Sequence, residues 1–476
     1  MAHTAPSLSR RDRSAAFPRE AIVYAIKELA RRAGVTAEFF RTWRIEFENA
    51  GFVSVLVKPG TNKRLRFAQA GAAYFEKLNA GEFQTSTARW LDSPPGQFAA
   101  LVPDFRIPFS SSSRNDVGPL FKAVRPDALE CPVDLPISTL LTLSRFEETH
   151  PAPRDEHGRF QALSGVACRG GFLDRPIVDE FGLALGDALS RLLPGWSPAA
   201  RVLRVKLGHD VDEIGLPFNF HSAVAHAFRR GRPAAAMRDL LAPLTGIDTT
   251  YQMLLRKIVL LSTERELDST VYWKYSKKGA HDTGYDPRHP RIRAQIAQLR
   301  EWGVALGIHP GYQTFDSPET FRAEVGAMTG LLGTREVGGR QDFLRWRPST
   351  WVEWDAAGLA YDASVAFADQ IGFRAGTAHA YHPWLLSENR EARLLEIPVV
   401  AMDSTLQSYM KLGPAEALAE LRACVERCRL VGGIFHLVWH NTKLMDAGYA
   451  RIYETLLDEL AGSDAYDWRA PEDAAN

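Results

Sequence analysis

Two aspartates close the run Arg201–Glu213, RVLRVKLGHDVDE. Asp210 and Asp212 stand two residues apart, so in extended backbone their carboxylates share one face. Two carboxylates in one small space suit a divalent cation, or a base beside a metal ligand. Without a cation or a shared proton between them they repel each other. An isolated Asp-x-Asp is more simply a polar loop after a strand, with His209 an ordinary surface residue. The chain downstream tips the balance, because Val304–Ile308 runs into His309 and Ile434–Trp439 into His440. Asp210, Asp212, His309 and His440 then occupy one kind of position, directly after an apolar run.

The elements that must place them follow from the hydrophobic pattern. Val202, Leu203, Val205 and Leu207 mark the first strand. Pro290–Trp302 has helical spacing, with Ile292, Ile296 and Leu299 inward and Gly303 as its stop. Ser317 caps a second helix through Phe321, Val325 and Met328. Leu394–Val400 reads as a strand, Pro414–Leu430 as a helix stopped by Gly432-Gly433, and Gly448–Leu460 as a closing helix. Strand and helix alternate as in α/β domains with parallel strands, whose sites gather at the C-terminal strand ends. Arg204 and Lys206 sit oddly on the Asp210 side of the first strand, since a small barrel is normally filled by apolar side chains. Either that strand begins later or this side faces a covering domain.

A chain of 476 residues exceeds one core, so several domains are expected. Hydrophobic and charged fractions of 45% and 24% are those of a soluble globular protein. Lys+Arg and Asp+Glu are both 57, which excludes a global field for nucleic acid or membrane. No apolar run has the length of a membrane span, and the N-terminus shows no signal-peptide core. The four cysteines form no disulfide framework, and Cys424 and Cys428 read as one helix face. A reduced cytoplasm is the expected setting.

Residues 1–75 read as a basic, winged helix-turn-helix-like segment. Ala21–Arg32 and Ala37–Asn49 have helical spacing, and Phe52–Lys58 with Arg64–Phe67 form a hairpin around Pro59-Gly60. Residues 1–66 hold 13 Lys and Arg against 6 Asp and Glu, which suits a nucleic-acid backbone. The plainer reading is a small accessory or dimerisation domain with a basic face. Residues 76–200 read as an accessory α/β domain, in which Glu147, Glu148, Asp155 and His157 are caps, turn residues or domain contacts. Residues 201–476 hold the strand/helix alternation. Within them His281, Asp282, Asp286 and His289, in HDTGYDPRH, read mainly as a loop near the mouth of the site. Asp362 and Asp369 are turn or active-site groups, and most of the aromatics between Trp346 and Trp384 are core.

Six segments appear in order: GHDVD (208–212), GIHPGY (307–312), GGRQDFLRW (338–346), YDASVAFADQIGFRAGT (361–377), LLEIPV (394–399) and LVWHN (437–441). Together they resemble the polysaccharide deacetylase family, carbohydrate esterase family 4, with its NodB-like fold. The likeness extends to the bacterial branch that starts with HDVD. In that branch a preceding domain carries motifs like SRFEE, DEHGRF and GFLDRPIVDE, matched here between Ser144 and Glu180. The resemblance implies a distorted (β/α)7 barrel, preceded by the smaller α/β domain and the winged-helix-like segment. It implies metal-dependent hydrolysis of an amide C–N bond with one divalent ion, zinc first, with manganese, iron, cobalt or nickel as alternatives. Asp210 matches the general base, Asp212 and His309 metal ligands, and His440 the general acid. Arg340 or Arg374 matches the arginine that orients the base. Tyr312, Asp362 and Trp439, within the matched segments, are the candidates for substrate contact.

The chain departs from the family at two points. Gln313 stands where a second metal histidine is usual, and Asp342 stands where the branch often has histidine. An Asp212/His309/Asp342 ligand set follows, and two carboxylates with one imidazole suit a harder ion than two histidines do. The alternative is a degenerate site in a binding or scaffold protein. The resemblance implies deacetylation of an N-acetylated sugar or a small N-acyl metabolite. The absence of a signal peptide favours a nucleotide- or lipid-linked sugar over cell-wall polymer.

Overall fold

The computed structural model describes residues 17–48, 52–57, 60–89, 104–109, 120–215, 233–276, 278–282, 285–334 and 336–470. Helix α1 (Arg19–Arg32) forms where the spacing places it, and buries Ile22, Ile26 and Leu29. Each such side chain contributes about 1.5–3 kcal/mol on burial. The expected second helix is a single turn, Ala37–Phe40, capped by the Thr36 side chain. Strand β1 (Arg44–Glu48) follows instead. Ile45 and Phe47 alternate with charged residues, and this period of two fits an edge strand better than a helix. Strand β1 pairs antiparallel with β2 (Phe52–Leu56), and β2 with β3 (Arg64–Ala68), so the expected hairpin is present. Strands β4 (Lys122–Arg125) and β5 (Ala128–Cys131) complete a sheet of order β1-β2-β3-β5-β4, with β5 parallel to β3.

Helix α1 packs between α2 (Leu135–Leu143) and α3 (Ile177–Leu192). A Cβ at Gly182 would stand 2.4 Å from Arg32 Cβ, so only glycine permits this crossing. A five-stranded sheet covered by buried helices is not the winged helix-turn-helix expected from the pattern. The basic excess is also engaged within the protein. Arg32 pairs with Glu28 at 2.6 Å and Asp179 at 2.7 Å, Lys27 with Glu391 at 2.9 Å, and Arg66 with both Glu48 and Glu130. Nucleic-acid binding through residues 1–66 therefore finds no support in the described residues. Arg10, Arg11 and Arg13 lie outside them.

The second sheet carries the candidate site. It comprises β6 (Arg204–Val211), β7 (Ser269–Trp273), β8 (Ala305–Ile308), β11 (Ala401–Met402), β12 (Ile434–Val438) and β13 (Asp464–Ala465). Its order is β8-β7-β6-β12-β11, with β13 also beside β6, and every pairing is parallel. Beyond β8 the sheet continues only through single bridges at Gly339, to Ile308 on one side and Asp362 on the other. Strand β9 (Tyr361–Asp362) then pairs with β10 (Leu395–Glu396).

The distorted (β/α)7 barrel implied by the resemblance is therefore corrected to an open parallel sheet with a bridged extension, among the described residues. The expected strand Leu394–Val400 is broken between β10 and β11. Pro398 has no N–H to donate to a ladder, and the segment's amides serve different neighbours: Ile397 donates to Asp362 O and Val400 to His436 O. Strand β6 begins at Arg204, and Lys206 is buried, its ammonium 3.1 Å from Thr270 Oγ1 and over the Tyr361 ring. Burial, helped by the Arg340 charge, lowers its pKa to about 7. The sheet interior is thus partly polar and aromatic here. Among the described residues no helix is long and apolar enough to cross a membrane. The four cysteines are free, with Cys424 and Cys428 buried on the helix Pro414–Val431.

Candidate metal centre

Strand β6 delivers Asp210 and Asp212 at its C-terminal end, and β8 delivers His309 beside them. His309 Nε2 lies 3.2 Å from Asp212 Oδ1 and 3.2 Å from Asp342 Oδ1. These three residues bring ligand atoms within 4.8 Å of one another. Metal bonds of about 2.0–2.2 Å separate neighbouring donors by about 3–3.5 Å, so the set fits a single ion. The ring orientation fits as well: His309 Nδ1 donates to Arg340 O at 2.7 Å, so Nε2 faces the carboxylates and would offer its lone pair to an ion on giving up its proton. Burial alone would lower the His309 pKa, but Asp210, Asp212 and Asp342 outweigh it and push it up to about 10. Gln313 is exposed, and Asp342 is buried in the cluster.

One lysine enters the same cluster. Lys274, the residue after β7, places its ammonium 2.9 Å from Asp342 Oδ2, 3.2 Å from Asp282 Oδ1 and 3.4 Å from Asp212 Oδ1. Although burial disfavours its charge, Asp212, Asp342 and Asp282 raise its pKa further. Asp282 also accepts from the Tyr312 amide at 3.1 Å and from Ser276 at 3.2 Å. Among the described residues of HDTGYDPRH, Asp282 is the carboxylate that joins the cluster. His281 stacks on Tyr312, Asp286 pairs with Arg288 at 2.7 Å, and His289 caps the helix Pro290–Glu301.

Asp210 is held from behind. Arg340 NH1 donates to Asp210 Oδ1 at 2.6 Å, its Nε to Ala363 O at 3.0 Å, and its NH2 to His436 Nε2 at 2.8 Å. Burial and the Arg340 charge keep His436 neutral, so Nε2 can accept. A Cβ at residue 208 would come within 2.5 Å of Arg340 NH2; Gly208 makes room for the guanidinium. Arg374, the other candidate, lies elsewhere, with its Nε on Glu148 Oε1 at 2.9 Å. Only Arg340 of the two touches Asp210.

His440 faces both aspartates, with Nε2 3.5 Å from Asp212 Oδ2 and 4.0 Å from Asp210 Oδ2. Its Nδ1 donates to Asp403 Oδ1 at 2.7 Å, and its backbone N–H to Asp403 Oδ2 at 2.6 Å. Burial opposes protonation, but Asp403, Asp212 and Asp210 prevail and raise the pKa to about 9. A proton on Nε2 at neutral pH follows. The sequence reading missed Asp403, although it too follows an apolar run, PVVAM, and so carried the signal that singled out Asp210.

The substrate candidates separate. Tyr312 sits at the rim, its hydroxyl 3.1 Å from His157 Nδ1. Trp439 is fully buried and stacked on Tyr453 at 4.9 Å, so it is core rather than a contact surface. Asp362, at the end of β9, is buried and accepts from Ser364, and burial raises its pKa to about 7.

A family model described as a family of unknown function, DUF7033, matches residues 18–194. No curated protein matches the chain. Solved structures resemble it at low identity. A protein described as a polysaccharide deacetylase from Mycobacterium smegmatis shares 19% identity over 56% of this chain and 87% of its own, with a TM-score of 0.38. One from Pseudomonas aeruginosa PAO1 shares 14% over 58% and 90%, with a TM-score of 0.39. The Puue allantoinase shares 14% over 67% and 95%, with a TM-score of 0.37. At these TM-scores the likeness assigns this chain neither a fold nor an activity.

Proposed function

We propose that residues 201–476 form a metal-dependent hydrolase of amide C–N bonds, acting on an N-acetylated sugar or a small N-acyl metabolite. The observation that carries this reading is the convergence of three groupings at one set of strand ends. These are a three-donor cluster (Asp212, His309, Asp342), a buttressed carboxylate (Asp210 on Arg340) and an oriented imidazole (His440 on Asp403). A divalent ion held by the three donors would polarise an amide oxygen and acidify a water.

The chain's own groups supply the proton traffic. Arg340 occupies Oδ1 of Asp210 and leaves Oδ2 on the His440 side, where it takes the proton of the attacking water. His440 carries a proton on Nε2, stabilises negative charge on the tetrahedral oxygen and hands the proton to the leaving amine. Asp403 fixes the ring and its tautomer. Asp212, Asp282 and Asp342 set three carboxylates against the Lys274 ammonium and a His309 ring that the same carboxylates hold protonated, a proton that a bound ion would displace. A divalent cation would restore balance, with zinc the first choice and manganese, iron, cobalt or nickel accommodated by the carboxylates.

Metal analysis of the purified chain, followed by stripping and reloading against a panel of N-acetylated sugars and acyl amides, tests the proposal. About one ion per chain and metal-restored release of acetate are expected, with kcat falling about 10²–10⁴-fold in His440→Ala. A chain that takes up no ion under any loading condition removes the hydrolase reading. Lys274 favours a second reading, a metal-free binding protein derived from such an enzyme, because it gives the carboxylates a permanent cation. The same titration separates the two.

A further inference from the structure

Phe343 and Leu344, directly after Asp342, both adopt left-handed backbone, with φ of 58° and 53°. This conformation is costly without glycine, and it persists only where the surroundings hold it. The holding groups come from the N-terminal half of the chain, where the turn Asp155–Phe160, DEHGRF, lies against this loop. Arg159 NH1 donates to Phe343 O at 2.9 Å. Its NH2 donates to Tyr409 Oη at 2.8 Å, and its Nε to Asp155 Oδ2 at 2.7 Å. Arg345 returns the grip: its Nε donates to His157 O at 2.8 Å and its NH1 to Tyr312 O at 2.6 Å. Both arginines are buried, and the His157 ring packs on Phe343 with 4.9 Å between centroids.

The second arm of Arg159 matters as much as the first. Tyr409 ends the helical turn Thr405–Tyr409, which begins two residues after Asp403. One guanidinium therefore ties the loop that presents Asp342 to the loop that orients His440. We propose that Arg159 is a positioning residue for the metal centre, and that the N-terminal half, through a reciprocal clasp of Arg159 and Arg345, completes the catalytic geometry. The inference rests on the hydrolase reading for what Asp342 and Asp403 do, but the clasp has a signature of its own.

The test uses the full chain with Arg159→Ala and Arg159→Lys, each confirmed as folded by circular dichroism. Hydrogen exchange is followed by mass spectrometry, and Co²⁺ binding by visible absorption. Exchange should rise over residues 341–346 and 403–409 in both variants while residues 204–211 stay protected, and Co²⁺ affinity should fall roughly 10–100-fold. Lysine keeps the charge but cannot span both acceptors, so it should not rescue. Unchanged exchange in folded Arg159→Ala overturns the proposal. So does a uniform rise across all peptides, or Co²⁺ affinity equal to wild type in a chain whose loops have loosened. If wild type binds no Co²⁺, the hydrolase reading fails, and the clasp is decided by exchange alone.

Discussion

Two buried charge clusters lie in this molecule, and they are built on opposite principles. At the contact between the two halves, Arg145 and Arg374 face Glu147 and Glu148. Arg145 Nε and Arg374 Nε both bind Glu148 Oε1 at 2.9 Å, and Arg145 NH2 binds Glu147 Oε1 at 2.8 Å. Glu147 Oε2 takes the Val166 amide at 2.7 Å. Two cations meet two carboxylates, and the charge closes. At the strand ends the Lys274 ammonium and the protonated His309 ring meet Asp212, Asp282 and Asp342, and one negative charge stays open. Burying an unbalanced cluster is expensive, so a closed one reads as scaffold and an open one as a place reserved for a ligand of opposite sign.

The comparison can be broken at either end. Glu148→Ala should leave the buried Arg374 guanidinium without a carboxylate and Arg145 with Glu147 alone, and cost about 3–5 kcal/mol in a denaturant titration, with divalent-ion affinity unchanged in the folded fraction. Coupled loss of metal affinity would dissolve the distinction between the clusters. Asp342→Ala should do the reverse, weakening ion binding by about 100-fold or more while leaving the denaturation midpoint within about 1 kcal/mol. Lys274→Met sharpens the electrostatic claim. Removing the resident cation should tighten divalent binding by about tenfold, read by competition with a chelating dye; weaker binding would make Lys274 a structural support.

The smallest effect concerns pH. Glu28 and Asp179 are buried, yet their arginine and histidine neighbours hold both down at about 2. Their contribution is present above the unfolded carboxylate range and is lost as pH falls toward 2. Burial does the opposite to Asp362, raised to about 7, and to Glu396, raised well above the usual carboxylate range with Asp362 adding to the effect. The native state then binds more protons than the unfolded chain between about pH 4 and 7, so stability falls as pH rises through that window. Denaturation midpoints should rise from pH 2 to 4 and decline toward 7, and Asp362→Asn should flatten the decline. A flat wild-type profile would show that neither pair is linked to folding.

Much of the site was legible because one rule sufficed. Asp210, Asp212, His309 and His440 all follow apolar runs, and a parallel sheet collects such ends on one edge. Lys274 obeys the same rule after β7, but lysine is not a ligand type and so drew no notice. Asp403 was obscured because its strand is two residues long and follows Pro398. The choice between Arg340 and Arg374 was not legible at all, since it depends on the space above Gly208 and on Glu148 from a distant segment. Likewise Phe40, Trp43 and Phe47 have helical spacing, and only pairing with β2 turns the end of that segment into a strand. The extension of the sheet beyond β8 rests on single bridges at Gly339, which no periodicity encodes.

The grip of Glu148 on Arg374 also bears on inheritance. A crossover near residue 200 that joined residues 201–476 to an unrelated partner would strand Arg374 beside Trp346 and Phe367 with no carboxylate to meet it. The reverse graft would carry Glu148 into a host lacking its arginine. Each half thus depends on the other to neutralise a charge it buries at their contact, which makes either one a poor candidate for grafting alone.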